Sequence, residues 1–254
     1  MTRMKRIGII VVEENPVIGN CEDWWENHFK PRFNEFNSIG PIEVLYEPLF
    51  VIENPSILCQ IHLEDYAGFV ITGSSHSVNK ATIWVSELKK FVRKVFESGK
   101  GKIFGICFGH QLIGKALGCT IGKCDYDGDI FGGEIVSVTK ACQEMEIYKE
   151  CFGDQQSFLI FEAHGEEIKD LNREEFEVLG SSKTCKYELV RWSSNMISCQ
   201  GHPDFSKRFV RNSVPDLMRL GFINEEKARH FEETYSDVDR EKIFKMVVLF
   251  LISE

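Results

Sequence analysis

The order of apolar and polar positions along the first half of the chain predicts strands and helices in alternation. Residues 7–12 form a continuous apolar run, which is typical of a strand buried on both faces of a parallel sheet. Between residues 82 and 99 apolar side chains recur at helical spacing, and Gly99 follows as a C-terminal cap. The same reasoning predicts strands at 42–46, 68–72 and 103–106, and a helix over 24–36 that Pro31 kinks or ends.

The pattern changes after Gly118, where short runs of strand composition follow one another with few helical patterns between them. These runs are 132–139, 157–163, 176–181, 187–192 and 196–200. Helical patterns then occupy 210–220, 225–235 and 237–252. The whole order predicts an α/β fold with a doubly wound, mostly parallel sheet, helices on both faces and further helices at the C-terminus. We predict a single domain over residues 1–254, with a core of about 6–210 and a helical extension of about 206–254.

The last helical segment, residues 243–252, is apolar on nearly every face. It is too short to span a bilayer, so a buried terminal helix is the first interpretation and a subunit contact the alternative. No longer apolar run occurs in the sequence, and we therefore expect no membrane association.

Charge and cysteine usage narrow the class of protein. A formal net charge of −9 without a concentrated basic face argues against nucleic acid as a main partner. The nine cysteines are scattered without C-x-x-C pairs, and no secretory signal precedes them. We expect free thiols in a reducing, cytoplasmic setting.

The stretch around Cys107 is the strongest candidate for chemistry. A predicted strand ends at this residue and a helix begins directly after it, while Gly105 and Gly109 suit a turn too tight for side chains on its inner face. A cysteine at the N-terminus of a helix lies where the backbone dipole favours the thiolate. The position therefore predicts a nucleophile above the end of a parallel sheet.

Three stretches resemble motifs of one family, in the family's order. Residues 105–111, reading GICFGHQ, resemble the G-x-C-x-G-x-Q motif of the class I glutamine amidotransferases, and their CFGHQ wording resembles the γ-glutamyl peptidase branch. Residues 71–74, reading ITGS, resemble the loop that completes the oxyanion hole. Residues 200–205, reading QGHPDF, resemble the segment that carries the catalytic histidine. The resemblance covers roughly residues 6–210.

The resemblance implies a thiol-based attack on a γ-glutamyl carbonyl. Cys107 would form a thioester, His202 would move the proton, and Asp204 would orient the imidazole. The backbone N–H groups of Gly73 and Phe108 would form the oxyanion hole. The substrate-binding positions implied are Gln111, on the first turn of the helix, and His164, in a segment that lines the glutamyl pocket.

Two residues depart from the family pattern. Asp204 stands where the family usually has glutamate, which shortens the reach by roughly 1.3 to 1.5 Å. Other triad hydrolases use either acid, so we expect the aspartate to be tolerated if the backbone shifts slightly. Ser74 replaces a second glycine of the biosynthetic amidotransferases and resembles the peptidase branch.

Other polar residues have plainer interpretations. His110 diverges from its neighbour Cys107 at the helix start, and we predict a packing or supporting role for it. The segment of His164 has a surface turn as its alternative interpretation. Residues 125–129, reading DYDGD, open like a calcium loop but lack its later glycine and glutamate, so a polar turn is predicted. The remaining histidines have no metal-ligand spacing, and we expect no metal and no cofactor.

Three functions remain open on the sequence. The first is a stand-alone hydrolase of glutathione-like γ-glutamyl peptides or conjugates, and the second is a glutaminase subunit that passes ammonia to a separate synthetase. The third is a non-catalytic binding homologue, which the aspartate at 204 motivates. The expected ligand is a small γ-glutamyl molecule, either glutamine or a glutathione-like peptide, and a synthetase partner or a homodimer stays possible.

Overall fold

The computed structural model describes residues 3–15, 17, 19–125 and 130–253, so the predicted polar turn at 125–129 lies outside it beyond Asp125. The strands are β1 (Arg3–Val11), β2 (Ser38–Ile39), β3 (Ile42–Phe50), β4 (Gly68–Ile71), β5 (Ile103–Ile106), β6 (Ile121–Lys123), β7 (Ile130–Val138), β8 (Ser157–His164), β9 (Glu166–Ile168), β10 (Glu177–Ser181), β11 (Leu189–Ser193) and β12 (Met196–Cys199). The helices are α1 (Cys21–Trp24), α2 (Lys30–Asn34), α3 (Ile57–Gln60), α4 (Ile83–Ser98), α5 (Phe108–Ala116), α6 (Lys140–Glu144), α7 (Glu146–Phe152), α8 (Lys207–Arg219), α9 (Glu225–Thr234) and α10 (Arg240–Ile252).

Ten of the described strands form one sheet in the order β2-β3-β1-β4-β5-β12-β11-β10-β7-β8. Strands β3, β1, β4, β5 and β12 run parallel, and the pairs outside this block are antiparallel. The prediction of a mostly parallel sheet with helices on both faces is confirmed. The late strand-like runs extend the same sheet on one side.

Two hydrophobic cores cover the two faces of the parallel block, as the continuous apolar run of β1 requires. Ile7, Ile9 and Val11 point into one core together with α10, whereas Ile10 belongs to the other core together with α4 and α5. Successive residues of a strand face opposite sides, so a strand between two helical layers must be apolar at every position.

The C-terminal helix α10 is buried in the first of these cores, and eight of its thirteen residues are buried hydrophobic or aromatic side chains. The buried-helix interpretation of this segment is therefore correct. No helix in the described ranges is long and apolar enough to cross a membrane.

The helix that contains Pro31 continues through it by means of a π-helical turn over Trp25–Phe29. The N–H of Lys30 reaches back to the carbonyl of Trp25, five residues earlier, and α2 follows with Pro31 in its first turn. Proline lacks a donor and crowds the preceding turn, so the wider turn before it accommodates the ring.

The sequence patterns missed two parts of the second half. Helices α6 and α7 occupy residues where few helical patterns were predicted, and they are too short for a periodic stripe to stand out. Strands β6 and β9 form a separate two-stranded antiparallel ribbon. Three-residue strands of this kind have no recognisable alternation in the sequence.

Candidate active site

Three neighbouring parallel strands bring the predicted site residues to one edge of the sheet. In the register, Ile71 of β4 lies beside Gly105 of β5, and Ile106 of β5 lies beside Cys199 of β12. Gly73, Cys107 and His202 each follow the C-terminal end of one of these strands. Parallel strands end at the same edge, so the topology alone brings these three residues together.

The turn at Cys107 is strained and closely packed. Cys107 has φ 49° and ψ −101° and is the one non-glycine residue with positive φ in the described part of the chain. A Cβ atom added to Gly105 would lie 2.6 Å from the backbone of Gly109, and one added to Gly109 would lie 2.3 Å from the carbonyl oxygen of Ile71. Only glycine fits at both positions, and the turn lifts the thiol above the sheet.

The Cys107 thiol lies buried among polar groups. Its Sγ is 3.9 Å from the carbonyl oxygen of Ala163 and 3.6 Å from Nε2 of Gln200. The charge of Cys107 also raises the pKa of the nearby His202 imidazole. The sulfur therefore lies beside an amide donor, at the N-terminus of α5 and close to the imidazole of His202.

His202 and Asp204 form a buried pair. Nδ1 of His202 lies 3.2 Å from Oδ1 of Asp204, and the ring of Phe205 stacks on the imidazole with centroids 4.2 Å apart. Burial alone would lower the pKa of His202, but the neighbouring charges of Cys107 and Asp204 raise it well above its usual value. The carboxylate of Asp204 thus reaches the imidazole although its side chain is one methylene shorter than that of glutamate.

The second oxygen of Asp204 faces another histidine. Nε2 of His28, on the π-helical turn, lies 3.6 Å from Oδ2 of Asp204, and both side chains are buried. Burial lowers the pKa of His28, so its ring is neutral at neutral pH. Burial would raise the pKa of Asp204, but His202 and His28 together hold it below its usual range.

Gly73 lies beside both Cys107 and His202. A Cβ atom added there would lie 2.6 Å from Cε1 of His202 and 3.6 Å from Cβ of Cys107. Phe108 opens α5, and the N–H of the first helical residue has no partner within its own helix. The backbone of Gly73 and Phe108 thus flanks Cys107.

The loop after Gly73 is tied to the end of the first strand. Glu13 accepts hydrogen bonds from the backbone N–H and the hydroxyl of Ser75, the latter at 2.9 Å, and from the amide of Asn15 at 3.0 Å. Burial raises the pKa of Glu13 to about 7, although the bonds from Ser75 oppose this shift. The carboxylate therefore fixes the loop that Gly73 begins.

Gln111 and His164 share one backbone carbonyl near the site. Nε2 of Gln111 donates to the carbonyl oxygen of Glu166 at 2.7 Å and to Oε1 of Gln200 at 3.2 Å. Nδ1 of His164 lies 3.1 Å from the same Glu166 oxygen. His164 is buried at the end of β8, so its surface-turn interpretation is wrong.

Two glutamates lie buried behind the histidine loop. Glu188 accepts from the backbone N–H of Gly201 at 2.8 Å, and a Cβ atom added to Gly201 would lie 2.4 Å from Oε1 of Glu162. Burial raises the pKa of Glu162 to about 8 and that of Glu188 well above its usual value. No described residue donates to Glu162, and with pKa values this high a protonated carboxyl of the pair can donate to the other one.

His110 has a supporting position. Its Nδ1 lies 2.7 Å from the hydroxyl of Ser198 on β12, and the same hydroxyl accepts from the indole of Trp192. Within the ranges that the structure describes, no three His, Cys, Asp or Glu side chains form a group that could hold a metal ion.

Several residues at the site were missed by the sequence reasoning. Gln200 and Glu13 could have been found, because each follows the C-terminal end of a strand at the edge where Cys107 lies. Glu162 and Glu188 had a weaker signal: each is a charged residue within a run of strand composition. His28 had none, since its partner Asp204 is remote in sequence.

The class-I glutamine amidotransferase family profile matches residues 46–216 of the chain. The chain belongs to this family. It is 32% identical over 164 residues to gamma-glutamyl peptidase 2 of Arabidopsis thaliana, a match that covers 65% of this chain and 64% of that protein. It is 29% identical over 214 residues to gamma-glutamyl peptidase 3 of the same plant, covering 83% and 84% of the two chains.

Solved structures share the fold. A glutamine amidotransferase from Thermotoga maritima superposes with a TM-score of 0.69 over 98% of this chain and 99% of its own, at 15% identity. The family and the named relatives support a hydrolase of the class-I glutamine amidotransferase type.

Proposed function

We propose that this protein is a hydrolase that cleaves the γ-glutamyl amide bond of small γ-glutamyl peptides or conjugates through a Cys107 thioester. The observation that carries the proposal is the buried series Cys107, His202 and Asp204 at the ends of adjacent strands, with Gly73 in contact with the first two. Gamma-glutamyl peptidases among its relatives support the choice of substrate.

The first half-reaction forms the thioester. The Cys107 thiolate attacks the γ-carbonyl carbon, an S–C bond forms, and the carbonyl electron pair moves onto oxygen. The N–H groups of Gly73 and Phe108 stabilise that oxyanion. The C–N bond then breaks, and His202 gives the proton it holds to the departing amine.

The second half-reaction releases glutamate. A water molecule loses a proton to His202 as its oxygen attacks the thioester carbon, and the S–C bond breaks to return Cys107. Asp204 keeps the imidazole oriented through both halves and stabilises its charged form.

In this proposal Gln111 and the residues around it hold the glutamyl group. Both hydrogens of the Gln111 amide are directed at Glu166 and Gln200, which leaves its Oε1 as an acceptor for the substrate's ammonium group. His164 supports this arrangement through the shared Glu166 carbonyl, so its role is positioning rather than contact.

The test measures glutamate release from glutathione and, separately, from glutamine, with intact-mass analysis of the protein during turnover. Wild type is compared with Cys107→Ala and with Cys59→Ala, which removes an exposed cysteine instead. We expect glutathione turnover in wild type and Cys59→Ala, loss of turnover in Cys107→Ala, and a γ-glutamyl adduct only where Cys107 is present.

Other outcomes separate the alternatives. Turnover of glutamine alone would contradict the peptidase proposal and favour a glutaminase subunit that serves a synthetase. If neither compound gives an adduct or releases glutamate, the protein is a binding homologue.

A further inference from the structure

A second cysteine lies against a histidine within the same site. Sγ of Cys124 is 3.2 Å from Nδ1 of His164, and the backbone N–H of Cys124 donates to the carbonyl of Gly165 at 3.0 Å. Cys124 follows β6 and is half-buried.

The carbonyl oxygen of Glu166 faces the same ring nitrogen. Nδ1 of His164 lies 3.1 Å from this oxygen, which also accepts from Gln111 at 2.7 Å. The sulfur of Cys124 lies 3.9 Å from the carbonyl oxygen of His164 as well. In the tautomer that carries its hydrogen on Nδ1, the ring donates towards both the Glu166 oxygen and the sulfur, and such a donor stabilises sulfur as it attacks an electrophile.

A buried acid lies on the other side of the ring. Nε2 of His164 is 3.3 Å from Oε2 of Glu162, whose side chain is fully buried and whose oxygens receive no hydrogen bond from any described donor. Burial would lower the pKa of His164, but Cys124 and Glu188 raise it above its usual value. Thiol, imidazole and carboxyl thus follow one another in the same order as at Cys107, His202 and Asp204, but Glu162 is a protonated acid at neutral pH whereas Asp204 is ionised.

Most other thiols in the protein have the opposite environment. Burial raises the pKa of six of the nine cysteines and keeps them protonated: Cys21, Cys119, Cys142, Cys151, Cys185 and Cys199. Cys59 is exposed and serves as a reference for an ordinary surface thiol. Reactivity at Cys124 would therefore be selective.

We propose that Cys124 is a second reactive thiol, open to oxidation by peroxides and to alkylation, and that its modification weakens binding in the adjoining glutamyl pocket. In the oxidation the Cys124 thiolate attacks one oxygen of hydrogen peroxide, an S–O bond forms and the O–O bond breaks. The departing hydroxide takes the proton of His164 and leaves as water. Sulfur loses two electrons, which the peroxide gains, and the product is a sulfenic acid.

The link to the pocket runs through one carbonyl. An oxygen added to Cys124 occupies the space between the sulfur and His164, so the ring must move away from its 3.2 Å contact. The Glu166 carbonyl that it holds is the acceptor for Gln111 at 2.7 Å. Two equivalents of a small thiol reverse the change: the first forms a mixed disulfide with loss of water, and the second releases the Cys124 thiol.

The reactivity test does not depend on the proposed function. The Cys107→Ala variant is treated with iodoacetamide at neutral pH, and peptide mass analysis follows Cys124 and Cys59 in the same sample. We expect Cys124 to react on the order of ten times faster than Cys59, and His164→Gln to remove that advantage. A rate at or below that of Cys59, or one unchanged by His164→Gln, would overturn the proposal. Thermal unfolding checks that His164→Gln is folded. If that variant does not fold, the comparison of the Cys124 and Cys59 rates in Cys107→Ala still tests the proposal.

The regulatory test rests on the proposed function. Cys107→Ala binds S-methylglutathione without turnover and without a free substrate thiol, and its affinity is measured before and after peroxide. We expect a loss of about tenfold that dithiothreitol reverses and that the Cys107→Ala, Cys124→Ser double variant does not show. Unchanged affinity in a sample whose Cys124 is oxidised would refute the regulatory role. Absence of binding before peroxide would instead count against the proposed function, and the labelling result would stand.

Discussion

His28 and Asp204 lie 176 residues apart in the sequence, and Nε2 of the histidine is 3.6 Å from Oδ2 of the aspartate. The other oxygen of the same carboxylate faces His202 at 3.2 Å. Asp204 is thus held between two imidazoles, of which one belongs to the proposed proton-transfer pair and the other to a π-helical turn. The second imidazole covers the side of the carboxylate that His202 does not face.

We expect His28→Leu to lower kcat by about tenfold with little change in KM, because Asp204 loses one of its two orienting partners. Leucine fills much of the space beside Phe209, whose ring centroid is 4.0 Å from that of His28. The measurement is steady-state hydrolysis, with His230→Leu as the control for an exposed histidine. Equal kcat losses in the two variants would show that the contact has no role.

Asp204→Asn should lower kcat by roughly 10² to 10⁴-fold, because an amide cannot stabilise the charged imidazole. Asp204→Glu should retain more activity than the amide but less than wild type, since the added methylene must fit among buried rings. Both are measured by kcat beside a thermal unfolding curve. An asparagine variant with wild-type kcat would remove Asp204 from the mechanism.

Gly73→Ala should reduce kcat by about 10² to 10³-fold, because its methyl group would lie 2.6 Å from His202 and displace the proposed oxyanion donor. Gly122→Ala is the matched control, since its methyl group meets only the flexible side chain of Lys169, at 3.3 Å. Circular dichroism should show that both variants fold. Comparable kcat values for the two would contradict the placement of Gly73 in the oxyanion hole.

Glu13 should give kcat a dependence on pH near neutrality. The pKa of this carboxyl is about 7, and only its ionised form accepts fully from both groups of Ser75. As the pH falls through 7 the carboxyl gains a proton, the loop after Gly73 loosens, and kcat decreases. Glu13→Gln should lower kcat about tenfold and flatten this limb of the profile. If Glu13→Gln keeps the wild-type dependence of kcat on pH, the decrease of kcat below pH 7 belongs to another group.

The parallel block and the turn at Cys107 could be predicted because short-range patterns specify them. The glycines beside Cys107 are required because an added Cβ atom would lie 2.6 or 2.3 Å from backbone atoms, and these glycines are part of the motif itself. The contacts of Glu13, His28 and Glu162 depend on which strands and turns become neighbours. That information is absent from local periodicity, so sequence reasoning found the candidate residues that the sheet brings together but missed the residues packed around them.

The buried glutamates should make the protein less stable as the pH rises. The pKa of Glu162 increases from 4.5 to about 8 on folding, and that of Glu188 also increases, so between these values the folded chain binds more protons than the unfolded chain. The free energy of unfolding must then fall as the pH rises through this window, by on the order of 5 kcal/mol for one such group.

Glu162→Gln removes one of these groups and keeps a hydrogen-bond donor for Glu188. We expect denaturant unfolding to show a flatter decline in stability between pH 4.5 and 8 in this variant than in wild type. Glu43→Gln, which changes an exposed carboxyl on β3, should leave the slope as it is in wild type. An unaltered slope in Glu162→Gln would mean that the two carboxyls do not share a proton in the folded protein. The histidine loop would then depend only on the hydrogen bond from Gly201 to Glu188.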